Sequence, residues 1–262
     1  MSTSHNLVGV LERLRGEGLL PTDTLAVLCV GSVARGWANE RSDYDLVVVT
    51  REPFADDRAR GLPVPLQPAT LPTVGLRVDG RRWEIKYWLD TQMDQMFAKI
   101  SRERFEAGNH ASRALIDVEE LALERLIPAI TLTGEEWVEA RRRELAESAF
   151  RSFAVSRSLA GMDSAVEDAL GQLAAGDAES AVLSARRAIG HVVDALLESH
   201  DCYGSAQPKW RARRFREAGP AEVPFEQYWA LETMRDLDPA APDRWVERTV
   251  QWCRRLCMEV EV

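Results

Sequence analysis

Apolar residues first recur at helical spacing, at Leu7, Val10, Leu11 and Leu14, which predicts a short amphipathic helix over residues 6–14 closing near Gly16-Glu17-Gly18. The pattern then changes to short unbroken runs. Residues 25–30 are too few for a helix and rich in β-formers, which predicts a strand, and residues 43–50 predict a second. Residues 46–49 are wholly apolar, as suits a central strand. A helical turn is expected over 54–60. Four prolines in LPVPLQPATLP make residues 61–72 extended or looped. Residues 74–78 and 82–89 then predict a hairpin around Val78-Asp79-Gly80, because Asp-Gly favours tight hairpin turns.

Beyond Asp90 sustained alternation disappears and helical periodicity takes over. Thr133-Gly134-Glu135-Glu136 spells a capping box ahead of a helix running past Phe150. Asp177 is placed to cap a helix whose Val182, Ala185, Ile189, Val192, Val193 and Leu196 share one face. A loop over 204–208, a basic helix from Lys209 and a last helix over 243–258 complete the pattern. The expected fold is an α/β N-terminal domain, a small mixed sheet with helices, over residues 1–130. An all-α helical-bundle domain over 131–262 follows it.

Composition narrows the setting. Apolar content of 45 % and charged content of 29 % are those of a globular protein, and no segment approaches the ~18 apolar residues of a membrane span. The N-terminus carries neither a basic stretch nor an apolar run, and Cys29, Cys202, Cys253 and Cys257 form no CxxC pair. A cytoplasmic location is therefore expected. The net charge of −9 has the wrong sign for gripping duplex nucleic acid. The basic runs at 141–143 and 209–216 are expected as solvated helix faces, which leaves a small molecule or a protein as partner.

The chemistry concentrates in residues 30–46, VGSVARGWANERSDYDL. A Gly-Ser turn leaves the first strand, ten residues follow, and Asp-Tyr-Asp opens the second. Gly31 and Ser32 can bring backbone N–H groups and a hydroxyl close to a phosphate. A short helix starting at Ser32 would add its N-terminal dipole, with Arg35 on the same face to pair with a phosphate. Asp43 and Asp45 alternate by two, so on a strand both carboxylates leave one face. Side by side they raise each other's pKa unless a cation sits between them, and Mg²⁺ takes one or two carboxylates plus substrate phosphates.

This stretch resembles the signature of the DNA polymerase β-like nucleotidyltransferase superfamily. The GSxARG version with a Ser-Asp-x-Asp-Leu ending is most similar to the bacterial minimal and antibiotic nucleotidyltransferases. The resemblance implies a third carboxylate from a later strand, and RRWEIKYWL supplies Glu84. Alternation puts Trp83, Ile85, Tyr87 and Leu89 on one face and Glu84, Lys86 and Trp88 on the other. A surface acid on an edge strand is the plain alternative for Glu84. Two Mg²⁺ ions are then expected, one on Asp43 and Asp45 with the triphosphate of ATP or another NTP. The other is shared with Glu84, which helps activate the acceptor hydroxyl.

Of 33 basic residues only Lys86, Lys99 and Lys209 are lysine, so Lys86 beside Glu84 suggests a need for a compact charge. Helical domains of the nucleotidyltransferases this chain resembles often supply a lysine to the triphosphate, and Lys209 is the candidate. Trp37 and Trp88 could stack on a base or ring. Arg186 to His191 spells R-x₄-H, similar to the ribonuclease signature of helical HEPN domains, although a half-buried helix histidine explains His191 more simply. The expected activity is NMP transfer, AMP from ATP, to a hydroxyl of a small-molecule acceptor in the manner of antibiotic-modifying enzymes. A toxin–antitoxin-type enzyme acting on protein or tRNA, and a non-catalytic nucleotide-binding module, stay open beside it. The oligomeric state is not legible.

Overall fold

The computed structural model describes residues 7–108 and 114–262, so Asn6 at the start of the first expected helix lies outside the described residues. The chain forms two compact units. One takes Met1–Ser101 with Ile116–Ser148, the other Arg102–Leu115 with Ala149–Val262.

The first unit opens with helix α1 (Val10–Gly16), whose Val10 and Leu14 are buried. Strand β1 (Thr24–Val30) leads directly into the four-residue helix α2 (Gly31–Ala34). Strands β2 (Tyr44–Thr50), β3 (Arg60–Pro63), β4 (Thr70–Val78) and β5 (Arg81–Leu89) follow. Helices α3 (Asp90–Lys99) and α5 (Asp117–Glu124), strand β6 (Ile130–Thr133) and helix α6 (Glu135–Glu147) complete the unit. The six strands make one mixed sheet in the order β3-β4-β5-β2-β1-β6. Within it β2 and β5 run parallel and the other pairs antiparallel. The β4–β5 hairpin turns at Asp79-Gly80, both with positive φ, as the Asp-Gly signal predicts.

Alternation divides the sheet. Tyr44, Leu46 and Val48 of β2 join Val27 and Cys29 of β1 and Trp83, Ile85 and Tyr87 of β5 in a core that includes Val10 and Leu14. The opposite face carries Asp45, Glu84 and Lys86 together with the buried Val47, Val49 and Trp88.

Local structure departs from the sequence pattern in four places, each for a physical reason. Over 54–60 the chain makes a single hydrogen-bonded turn, Ala59 N donating to Asp56 O at 2.9 Å, and no helix, while Phe54 stacks on Tyr87 (centroids 3.6 Å apart) and Asp56 pairs with Arg58 at 2.7 Å. The short β6 carries too few residues for alternation to register, and it exists because it pairs with the edge of β1. The capping box is not used. The residue before α6 is Gly134 at φ 84 with no side-chain cap, and a Cβ there would collide with the backbone of Leu25 and Ala26. Finally, the helix expected to run past Phe150 ends at Ser148, which is extended (ψ 179) and donates its hydroxyl to Leu145 O at 2.7 Å.

The second unit is helical. It contains α4 (Arg102–Glu106), α7 (Phe150–Ala174), α8 (Ala178–Ser199), a 3₁₀ turn Pro208–Trp210, α9 (Arg211–Ala218), α10 (Phe225–Glu232) and α11 (Pro242–Cys257). Asp177 caps α8 as expected, accepting from Ser180 N at 3.1 Å. The α8 face carrying Ala185, Ile189, Val192 and Leu196 packs with α7 and with Trp245, Val246, Val250 and Cys253 of α11. Buried Asp194 on α8 accepts from Arg211 at 2.7 Å and pairs with fully buried Arg214, which fixes α9 against α8. No helix among the described residues is long and apolar enough to cross a membrane.

Candidate active site

Register brings the acids together. Asp45 on β2 lies opposite Val30 of β1 on one side and Glu84 of β5 on the other. Register partners share a face, so the Asp45 and Glu84 side chains project from the same side of the sheet. Asp43 precedes β2 and reaches Arg82, with Oδ2 3.8 Å from Nε. The chain leaves β1 at Val30 and turns at once into α2, with Gly31 at φ 70. A Cβ on Gly31 would overlap Asp45 Oδ2 and come within 3.1 Å of its Cγ. The glycine of the Gly-Ser turn therefore makes room for a carboxylate, a role the spacing alone did not reveal.

Cations surround the acids. Lys86 Nζ pairs directly with Glu84 Oε1, and Arg82 Nη2 lies 3.5 Å from Glu84 Oε2. Arg125, the residue that closes α5, brings Nη2 to 3.9 Å from Asp45 Oδ2. Burial pushes the Asp45 carboxyl above its ordinary range; Arg125 and Lys86 oppose the rise, and Glu84 and Asp43 add to it. Glu84 goes the other way. Burial would raise it, but the hydrogen bond and charge of Lys86, helped by Arg82 and Arg125, hold it below the ordinary range. Two carboxylates on adjacent strands thus differ in how far their charge is compensated.

Arg35 follows α2 and its guanidinium lies 4.8 Å over the Trp37 ring. Ser32 is half-buried within α2, and Ser42 accepts from Asn39 N at 2.9 Å, a local bond. Trp37 and Trp88 are buried, at 5 % and 1 % exposure, so the expectation of ring stacking is corrected: both belong to the core. Lys209 lies on the 3₁₀ turn of the helical unit, its Nζ 5.8 Å over the Trp210 ring. Arg186 is engaged by Glu232 at 3.0 Å, and a Cβ on Gly161 would meet the His191 ring at 2.9 Å, which makes His191 a packed helix residue.

The basic runs are divided: Arg143, Lys209, Arg213 and Arg216 are exposed as expected, and the other arginines are engaged internally. Arg141 donates to Asp90 and Asp94 at 2.6 Å each, and Arg142 to the Leu126 and Ala129 carbonyls at 2.9 and 2.7 Å. Asp90 also accepts from Trp137 Nε1, so it is no substitute for Glu84. Arg82 and Arg125 were missed. Arg82 stands two residues before Glu84 on an alternating strand and was legible there. Arg125 arrives from a separate helix and carried no local signal.

All donors at the site are carboxylate oxygens, the hard ligands that Mg²⁺ takes. The partly buried Asp45, its charge only partly balanced by Arg125 and Lys86, fits a divalent cation beside Asp43. Among the described residues no three acids, histidines or cysteines converge as a ready-made cluster.

Residues 11–121 match the family model described as nucleotidyltransferase domain. A crystal structure of a nucleotidyltransferase-like protein from Exiguobacterium sibiricum 255-15 is similar, with a TM-score of 0.51 at 12 % identity. The match covers 95 % of this chain and 73 % of that one, and at such identity it is a likeness of fold. No curated protein matches the sequence.

Proposed function

We propose that the protein transfers a nucleotidyl group, AMP from ATP, to a hydroxyl of a small-molecule acceptor, a reading supported by the match of residues 11–121 to the nucleotidyltransferase domain model. One observation carries the reading: Asp45 and Glu84 are register partners on adjacent parallel strands, with Asp43 two residues away and Gly31 shaped to receive the Asp45 carboxylate. In the reaction the acceptor oxygen bonds to the α-phosphorus, the bond from that phosphorus to the bridging oxygen breaks, and pyrophosphate leaves with the electron pair.

Asp43 and Asp45 would hold a divalent ion, Mg²⁺ by its preference for carboxylate oxygen, and that ion supplies positive charge to the triphosphate when bound. Gly31 and Ser32 offer backbone and hydroxyl contacts to phosphate, and Arg35 is the further phosphate contact we assign. Glu84, kept ionised by Lys86 and Arg82, receives the hydroxyl proton at its carboxylate. The net charge of −9 favours a neutral or cationic acceptor, as antibiotic amino sugars are.

The test is transfer of label from [α-³²P]NTPs to an aminoglycoside, lincosamide and nucleoside panel, with lysate protein and RNA alongside. Labelled small-molecule product that disappears in Asp45→Asn supports the reading. Label appearing only on protein or tRNA would move the acceptor to the toxin–antitoxin class. No transfer to any acceptor would leave a nucleotide-binding module.

A further inference from the structure

We infer that Lys86 stands where a second divalent cation would otherwise be needed, so that the site takes a single ion, on Asp43 and Asp45, with each bound nucleotide. The inference rests on the proposed nucleotidyl transfer and puts one ion where the family resemblance implies two. The three acids are engaged very differently. Both oxygens of Glu84 face side-chain cations, Oε1 in direct contact with Lys86 Nζ and Oε2 3.5 Å from Arg82 Nη2. The cations nearest Asp43 and Asp45 stand at 3.8 and 3.9 Å, beyond hydrogen-bonding distance. Their lone pairs remain available for an ion.

Lys86 is not a surface side chain that happens to lean on Glu84. It lies on β5 between Val47 of β2 and Thr73 of β4, and its side chain is only 17 % exposed. A divalent ion sharing Glu84 Oε1 would sit a few ångströms from the ammonium, where like charges repel strongly in a partly buried setting. Either the lysine leaves or the ion does not come. Its residue type agrees. Where 30 of 33 basic side chains are arginine, this one is lysine. An ammonium is a compact point charge, closer to a metal ion than a planar guanidinium fork is.

Equilibrium dialysis of the full chain with Mn²⁺ and α,β-methylene-ATP, a nucleotide that cannot be cleaved, counts ions per bound nucleotide. The expected ratio is one for the wild type and two for Lys86→Met, which frees Glu84. Circular dichroism and thermal melting check that the variant is folded. Should Lys86→Met fail to fold, Glu84→Gln decides. It leaves the ratio at one if Lys86 already fills the position and lowers it from two to one if Glu84 ligates an ion. A wild-type ratio of two overturns the inference and leaves nucleotidyl transfer standing. Absence of any Mn²⁺-dependent nucleotide binding overturns both.

Discussion

Gly31→Ala should damage the site more than the fold, and the structure indicates by how much. At φ 70 an alanine pays a left-handed backbone penalty of about 1–2 kcal/mol wherever it sits. The new Cβ would also overlap Asp45 Oδ2 and crowd Cγ at 3.1 Å. The oxygen is the end of a side chain, so the clash is relieved by turning Asp45 off its rotamer, for about 0.5–1.5 kcal/mol. The fold should lose about 2–3 kcal/mol in all, a fall in melting temperature of about 2–4 °C per kcal/mol. A carboxylate displaced by about 1 Å should cut transfer by about 10²-fold. The assay is a double-mutant cycle in denaturant with Gly31→Ala, Asp45→Ala and the pair, run beside transfer kinetics on the single glycine variant. The backbone penalty survives removal of the carboxylate and the clash does not. Gly31→Ala should therefore cost about 0.5–1.5 kcal/mol less in the Asp45→Ala background. Equal costs in the two backgrounds, or near-normal transfer by Gly31→Ala, would refute the packing argument.

ATP should raise the melting temperature only with Mg²⁺ or Mn²⁺ present, by roughly 1–3 kcal/mol of stabilisation at about 10–100 times its dissociation constant, since triphosphate and acids repel without the ion; an equal shift in EDTA counts against the site. Asp43→Asn should weaken Mg·ATP binding and abolish transfer, while Glu84→Gln should leave that affinity within about threefold and lower turnover by about 10²; calorimetry beside transfer rates decides, and near-wild-type turnover would make Glu84 a surface acid. Glu198, fully buried on α8 with Ser158 donating at 2.6 Å, has its carboxyl pushed up by burial to about 7 from 4.5. The folded state then holds the proton more tightly than the unfolded chain, so stability falls as pH rises from 4.5 through 7, by about 3 kcal/mol. Glu198→Gln should remove that slope, and denaturation curves that keep the same pH dependence would refute the assignment.

What the sequence disclosed depends on whether the determining contact is local. The β4–β5 hairpin was legible because Asp79-Gly80 needs only its own backbone freedom, and the Asp177 cap because its acceptor lies three residues from its donor. Alternation fixes the face that Glu84 takes on its strand, but its pairing with Asp45 comes from the β2–β5 register, which no local signal carries. Strand β6 was not legible, since its four residues are a strand only by pairing with β1. The capping-box spelling misled because Gly134 is required by the Leu25 and Ala26 backbone, a constraint from more than a hundred residues earlier in the chain.

Charge shows the same division more sharply. Net charge counts residues, but function depends on which charges remain uncompensated. Arg141, Arg142, Arg211 and Arg214 read as two basic runs, yet acids and carbonyls of the same unit engage them. Asp43, Asp45 and Glu84 read as ligands of two ions, yet Glu84 is met by a lysine and an arginine while Asp45 is held with its charge incompletely balanced. A cation added to this site gains most beside Asp45 and least beside Glu84. The lysine two positions from Glu84, an oddity of composition in a chain of arginines, is thus where sequence and structure together bear on how many metal ions the reaction uses.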